Sequence, residues 1–197
     1  MAVNLYWLDR DDEALAIFDR LLEADPFDKK ALLYRARIYR IKRDYDTALK
    51  SIDRALALSP NETDPVWEKA NILKMMGRRD DAITVFNRAL VYGEFNPVLI
   101  HARGMMHLSN SGGKNTLAED DLGRAAEILP KKAQYWFDYG TALSYRLQCR
   151  GIGAYQRYVD LCARAGTNCR AQDLDIALNY INSKTVAQSC FGPSSPT

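Results

Sequence analysis

The sequence contains few of the residues that build metal centres, with two histidines and four cysteines among its 197 residues. His101 and His107 are six positions apart, so a helix would place them on different faces. The cysteines are confined to the last quarter of the chain, and their spacing matches no zinc-binding pattern. They are Cys149, Cys162, Cys169 and Cys190. We therefore expect neither a metal ion nor another cofactor.

Recognisable catalytic motifs are also missing. The stretch Gly112-Gly113-Lys114-Asn115 lacks the leading glycine and the hydroxyl after lysine that a phosphate-binding loop requires. There is no Gly-x-Ser-x-Gly elbow for a nucleophilic serine. The acidic pair Asp80-Asp81 falls where a helix is expected to begin, and acids there favour the helix dipole. The sequence therefore predicts a protein that is not an enzyme.

Long apolar runs and a strong charge of one sign are absent as well. No apolar stretch approaches the roughly 20 residues that a membrane-spanning helix needs. The net charge of +2 indicates no binding of nucleic acid. The first ten residues lack the basic leader of a signal peptide. The chain as written is therefore expected to be cytoplasmic, with a periplasmic or secreted location left open if it is a fragment that lacks its signal.

Helical periodicity is present along most of the chain, and no alternating run predicts a strand. Asp64-Pro65 and Asn96-Pro97 each place a capping side chain before a proline expected at the first helical position. The predicted helices are 2–9, 11–24, 28–41, 45–58, 64–76, 79–92, 97–109, 116–128, 132–147, 152–165 and 171–183. The Pro/Ser/Gly-rich tail, 185–197, is predicted to be disordered.

A short pattern recurs along these helices. Arginine at 20, 54, 88 and 124 is followed by two small or aliphatic residues, and the first two intervals are 34 residues and the third is 36. A fixed period of this size is typical of a solenoid of stacked helix pairs, each unable to bury its apolar face alone. Such an architecture favours binding over catalysis.

Small residues recur at equivalent positions. The small positions in first helices are Ala36, Ala70, Gly104 and Gly140, and those in second helices are Ala14, Ala48, Ala82 and Ala118. Pro26, Pro60 and Pro130 follow second helices. These residues resemble the tetratricopeptide repeat family. The resemblance implies an all-α fold, a right-handed α-solenoid of antiparallel helix pairs.

The resemblance also implies an organisation. A single array is expected over 1–184, with repeats at about 1–26, 27–60, 61–94, 95–130 and 131–165 and a capping helix at 171–183. Aligned on Pro26, Met1 falls part-way along the first helix of the first repeat. This phase favours a chain that is a fragment of a longer protein.

In this family the first helices line a concave groove, so the resemblance implies a binding site there. The expected groove is basic at its N-terminal end and apolar or aromatic further along, which suits a peptide with acidic and hydrophobic residues. The alternative is that the basic residues are only solvated and that Trp67 packs within its own repeat. The groove residues are Lys30, Leu33, Arg37, Arg40, Trp67, Asn71, Lys74, Met75, His101, Met105, Phe137 and Tyr145.

A second basic set is expected to be structural. Arg35 and Lys69 occupy equivalent positions, and Asp19 and Asp53 of the preceding second helices are placed to pair with them. Arg103 occupies the next equivalent position. We expect ion pairs between helices here, worth about 1 kcal/mol or less where they are exposed.

The functional prediction is a protein-binding module, an adaptor or chaperone that holds a client segment. The family's dicarboxylate clamp is absent, because Trp67 stands one turn before Asn71 where that clamp has its partner. The alternative is a scaffold or assembly subunit, of the kind found in bacterial secretion or envelope complexes, that docks through its end repeats and self-associates as a homo-oligomer. A third hypothesis, a domain of a secreted or envelope protein, would be marked by a Cys162–Cys169 disulfide. Buried or idle thiols are favoured over that bridge.

Overall fold

The computed structural model describes residues 1–93, 95–110, 116–145, 148–164, 169–183 and 190, and the side chains of 110 and 148 are not part of that description. The predicted tail, apart from Cys190, and most of the loop that contains Gly112-Gly113-Lys114 fall outside these residues.

The described residues form eleven α-helices and no strand, so the predicted all-α class of stacked helix pairs is confirmed. None of these described helices is long and apolar enough to cross a membrane. The helices are α1 Ala2–Trp7, α2 Asp11–Ala24, α3 Lys29–Ile41, α4 Tyr45–Leu58, α5 Thr63–Met75, α6 Arg79–Tyr92, α7 Pro97–Asn110, α8 Thr116–Ile128, α9 Ala133–Ser144, α10 Gln148–Cys162 and α11 Ala171–Ile181.

Helix starts show where local sequence was sufficient and where it was not. Asn96 caps α7 as predicted, because its Oδ1 accepts hydrogen bonds from the backbone amides of Val98 and Leu99 at 3.1 and 3.3 Å. The predicted capping of α5 by Asp64 is wrong. This helix begins at Thr63, which puts Asp64 inside its first turn, where the carboxylate contacts Arg37 of α3 instead of capping the helix.

The chain divides into two compact units, an N-terminal unit Met1–Leu99 and a C-terminal unit Ile100–Thr197. In the N-terminal unit consecutive helices pack against each other, and α3 also contacts α1 and α5. Ala36 and Ala48 are fully buried together with Ile52 and Ile72. The small residues predicted from the period therefore lie where paired helices touch.

Close helix approach in the C-terminal unit depends on glycine. A Cβ atom added to Gly140 of α9 would lie 2.8 Å from the Tyr155 ring of α10. Tyr155 is buried with Tyr158, Leu161 and other apolar residues. Helix α10 begins at Gln148, four residues before the predicted start at 152, and Gly151 of that added turn faces Tyr180 of α11.

The predicted structural ion pairs are present. Arg35 Nε lies 2.7 Å from Asp19 Oδ1, and Lys69 Nζ lies 2.6 Å from Asp53 Oδ1. Arg103 makes two hydrogen bonds of 2.7 Å to the Asp121 carboxylate. These pairs join neighbouring helices, so the three basic side chains have a structural role.

All four cysteines form disulfides, so the favoured reading of them as idle thiols is wrong. Cys162 at the end of α10 is bonded to Cys169 just before α11, and Cys149 near the start of α10 is bonded to Cys190. Both bonds lie in the C-terminal unit. The second bond joins residues 41 positions apart, a pairing that no local pattern indicates.

Candidate functional site

All eight predicted groove residues of the N-terminal unit lie on two helices, α3 and α5. We call the surface formed by these two helices the α3/α5 face. On α5, positions 64, 67, 68, 71 and 75 follow the helical repeat and so share one side. The face comprises Lys30, Leu33, Tyr34, Arg37 and Arg40 of α3 with Asp64, Trp67, Glu68, Asn71, Lys74 and Met75 of α5.

A buried carboxylate holds the centre of this face. Glu68 has 0% exposure and accepts hydrogen bonds from both Arg37 and Arg40. Arg40 is the nearer of the two, and its Nη1 also lies 3.9 Å from Met75 Sδ. A buried charge needs such partners, because an uncompensated one is strongly destabilising. Glu68 therefore links α3 to α5. Two arginines share this one carboxylate, so these three side chains together carry a net positive charge.

Arg37 has a second acidic neighbour and an aromatic support. Its Nη2 lies 3.4 Å from Asp64 Oδ2, and its guanidinium carbon lies 5.2 Å from the centre of the Tyr34 ring. Cation–π contact at this distance orients the planar guanidinium. The two arginines are therefore not merely solvated, because they belong to a connected cluster of charged and aromatic side chains.

Beside this cluster lies a cleft of about 510 Å³. Lys29 at its edge is engaged, since its Nζ donates to Glu62 Oε2 at 2.8 Å and to Ser59 Oγ at 2.9 Å. Lys30 has no hydrogen bond or ion pair with any residue in the part of the chain that the structure describes. The cleft is lined by Lys29, Lys30, Leu33, Tyr34, Glu62, Thr63 and Asp64.

Aromatic rings extend the face towards α1. Tyr6 packs edge-on against Tyr34, with ring centres 5.3 Å apart, and against Trp7 at 5.1 Å. Burial raises the pKa of the Tyr6 hydroxyl, while the positive charges of Arg37 and Arg40 act in the opposite direction. The neutral phenol is therefore part of the electrostatic surroundings of the two arginines.

The outer part of α5 presents exposed side chains to solvent. Trp67 is 44% exposed and Met75 is 49% exposed, and Lys74 is also exposed. Trp67 is thus not enclosed within its own repeat. Asn71 is half-buried beside it, and Leu33 is buried in the core, although it also lines the cleft.

The four remaining groove residues lie in the C-terminal unit, where their surroundings differ. His101 Nε2 lies 2.7 Å from Asp138 Oδ2, and the imidazole stacks on Tyr135 with ring centres 4.1 Å apart. Phe137 is only 8% exposed and packs against the rings of Tyr155 and Tyr158, so it serves the core. Met105 and Tyr145 are exposed.

Sequence reasoning missed the two buried acids that organise these surfaces. Glu68 and Asp138 stand at equivalent positions, each two residues before the small residue of its helix, Ala70 or Gly140. Each accepts hydrogen bonds from a basic side chain of the preceding first helix. An acidic residue at two of the four positions that precede the small residue was the available signal.

Comparison with known proteins agrees with this helix-pair arrangement. Residues 9–63 match the family model described as Tetratricopeptide repeat. A curated relative, BBSome complex member BBS4 from Bos taurus, is 24% identical over 159 residues, which cover 68% of this chain and 31% of the relative. This chain thus spans less than a third of that relative's length.

Solved structures resemble the chain over most of its length. PilW, described as a widely conserved type IV pilus biogenesis factor, aligns with a TM-score of 0.69 at 18% identity, covering 98% of this chain and 92% of that chain. YrrB, described as a TPR protein with an unusual peptide-binding site, aligns with a TM-score of 0.62 at 19% identity, covering 90% and 87%. At these identities the likeness establishes the fold.

Proposed function

We propose that this chain, which is a tetratricopeptide repeat protein, is a non-enzymatic interaction module that holds a partner segment on the α3/α5 face of its N-terminal unit. The observation that carries the proposal is the combination of exposed anchors and a cleft on one face. Trp67 and Met75 offer large apolar surface, and the 510 Å³ cleft lies on the same two helices. A few residues carry most of the binding energy at a protein interface, and tryptophan is enriched among them.

The charges of this face suggest what the partner carries. Lys30, Lys74 and the two arginines outnumber the carboxylates of Asp64 and Glu68, and Glu68 is buried beneath its partners. Complementary charge steers association and sets register more than it adds affinity. A segment with acidic residues and hydrophobic anchors fits this face, in an adaptor or a chaperone-like role.

Site-specific crosslinking tests the proposal in the cell that makes the protein. A photoreactive phenylalanine analogue replaces Trp67 on the proposed face and, as the control, Lys50, which is exposed on α4. We expect a discrete crosslinked partner from position 67 and none from position 50. Crosslinks from position 50 alone, or equal crosslinks from both, would contradict the α3/α5 face as the site.

A second candidate is a scaffold or assembly subunit that works in an oxidising compartment, such as the bacterial periplasm or the outside of a cell. It is favoured by the two disulfides, since such bonds persist in oxidising compartments and are rare in the cytosol. Trp7 and Leu8, 68% and 67% exposed, offer an apolar surface for another subunit or a second copy. The photoreactive residue placed at Trp7 separates the candidates, because an assembly subunit crosslinks there.

The cysteines give a direct test of the compartment. Protein purified from its native source without reductant should show no thiol that reacts with maleimide after denaturation, and four after reduction. Loop closure predicts that reduction lowers the free energy of unfolding by about 4 kcal/mol for Cys149–Cys190 and about 2 kcal/mol for Cys162–Cys169. The Cys149→Ser/Cys190→Ser variant serves as the matched control without reductant. Four reactive thiols in the native protein would argue against the oxidising compartment.

A further inference from the structure

Arg37 and Arg40 have the same side chain on the same face, but they are held differently. Arg40 makes the closest contact to Glu68. Arg37 is 3.3 Å from Glu68 Oε2 and 3.4 Å from Asp64 Oδ2. Charge-assisted hydrogen bonds are ordinarily about 2.7–2.9 Å long, so neither acid engages Arg37 fully. Arg40 satisfies the buried carboxylate, and Arg37 retains binding capacity.

Arg37 is nevertheless oriented. Its guanidinium stacks over the Tyr34 ring, and Tyr34 is itself supported by Tyr6. A planar guanidinium held in this way loses little freedom when it binds a carboxylate through two parallel hydrogen bonds. The stacking fixes the plane of the group, and its Nη2 points towards the exposed Asp64.

Asp64 lies at that edge. Its side chain is 65% exposed, so it can turn into water without breaking any buried contact. It also lines the cleft, together with Lys30 and Leu33. An Asp or Glu side chain that took the place of Asp64 at the edge of the cleft would meet Arg37, with Lys30 and Leu33 in the cleft beside it.

We propose that Arg37 is the residue of the α3/α5 face that recognises an acidic side chain of the partner segment, and that Asp64 occupies its place in the unliganded protein and competes with it. The inference rests on the proposed function of that face. It assigns different roles to the two arginines: Arg37 determines specificity, and Arg40 holds Glu68 and the helices together.

The test uses the full chain and a fluorescein-labelled synthetic peptide with a blocked C-terminus, acidic residues at one end and Leu and Phe at the other. A second peptide has Asn and Gln in place of every Asp and Glu. The key variant is Asp64→Asn, and the matched control is Asp46→Asn, which removes another exposed charge, from the first turn of α4. Fluorescence anisotropy gives the dissociation constants.

We expect Asp64→Asn to tighten binding of the acidic peptide about fivefold, because it removes a like charge at contact distance. Asp64→Asn should leave the affinity for the amide peptide unchanged, and Asp46→Asn should leave the affinity for the acidic peptide unchanged. Arg37→Lys should weaken the acidic peptide about tenfold, since lysine cannot reproduce the two parallel bonds.

Three outcomes would overturn the inference. Asp64→Asn leaves the acidic peptide unaffected, or it tightens both peptides equally, or wild type binds the two peptides with the same affinity. In each of these the protein still binds peptide, and crosslinking from position 67 tests the α3/α5 face separately, so failure of the inference is distinguishable from failure of the proposed function. Absence of binding to both peptides by wild type would remove the proposed function and the inference together.

Discussion

Replacing Glu68 by Gln provides the sharpest test of how the N-terminal unit is held together. Glutamine preserves the volume of the side chain but removes the charge shared by Arg37 and Arg40. Breaking a buried ion pair on one side costs about 3–5 kcal/mol. The arginine side chains are still 16% and 23% exposed and can recover part of their hydration. We therefore expect a loss of about 2–3 kcal/mol in the free energy of unfolding.

The matched control is Glu62→Gln. Glu62 also joins α3 to the start of α5, through Lys29 at 2.8 Å, but both of these side chains are more than 40% exposed. An exposed pair of this kind contributes about 1 kcal/mol or less. The two substitutions remove the same charge from the same pair of helices and differ mainly in burial.

Urea unfolding of the full chain is the assay, monitored by tryptophan fluorescence in a Trp136→Phe background. The remaining tryptophans, Trp7 and Trp67, then report on the N-terminal unit. A double-mutant cycle with Arg40→Gln should give a coupling energy above about 1 kcal/mol. If Glu68→Gln costs no more than Glu62→Gln, the buried carboxylate does not hold the helices together, and the distinction between Arg37 and Arg40 loses its basis.

Two further predictions concern the C-terminal unit. Gly140→Ala should lower the melting temperature of this unit, because the new Cβ would lie 2.8 Å from Tyr155 and overpacking of about 1–3 kcal/mol exceeds the helix gain of about 1 kcal/mol. The control, Gly153→Ala, should raise the melting temperature, because a Cβ there has nothing within 4 Å. An equal rise in both variants would refute the close contact at Gly140. Burial raises the pKa of Tyr155 above 10.0, so the stability contributed by its neutral phenol is complete below pH 10 and is lost as the pH rises through the raised pKa. Helicity and tyrosinate absorbance followed together from about pH 9 to pH 12 should show this loss, and Tyr155→Phe should reduce it; an unchanged alkaline profile in that variant would contradict the assignment.

Much of the fold could be predicted because its signals are local and periodic. The small residues Ala36 and Gly140 recur at one position of the repeat, and close helix approach requires a small residue there. The ion pairs of Arg35 and Lys69 followed from the same phase, since equivalent positions on successive repeats meet equivalent partners. Repetition thus converts spacing along the chain into contacts between helices.

The errors arose where a residue's partner lies far along the chain. Asp64 has the local features of a helix cap, but α5 starts one residue before it and Arg37 lies across the face. Cys149 shows no local sign of a partner 41 positions away. Phe137 has the spacing of a groove residue, yet α10 supplies tyrosine rings that enclose it.

The sequence by itself determined the helix-pair repeat, the small residues at helix contacts and the ion pairs between successive helices, because each depends on a period that is visible in one dimension. Only the tertiary structure decided that Glu68 is buried, that Arg40 holds it more closely than Arg37 does, and that all four cysteines are paired. These features depend on which side chains from distant positions meet and on how much water they lose when they do. Burial and long-range pairing are properties of the packed chain, so no spacing rule contains them.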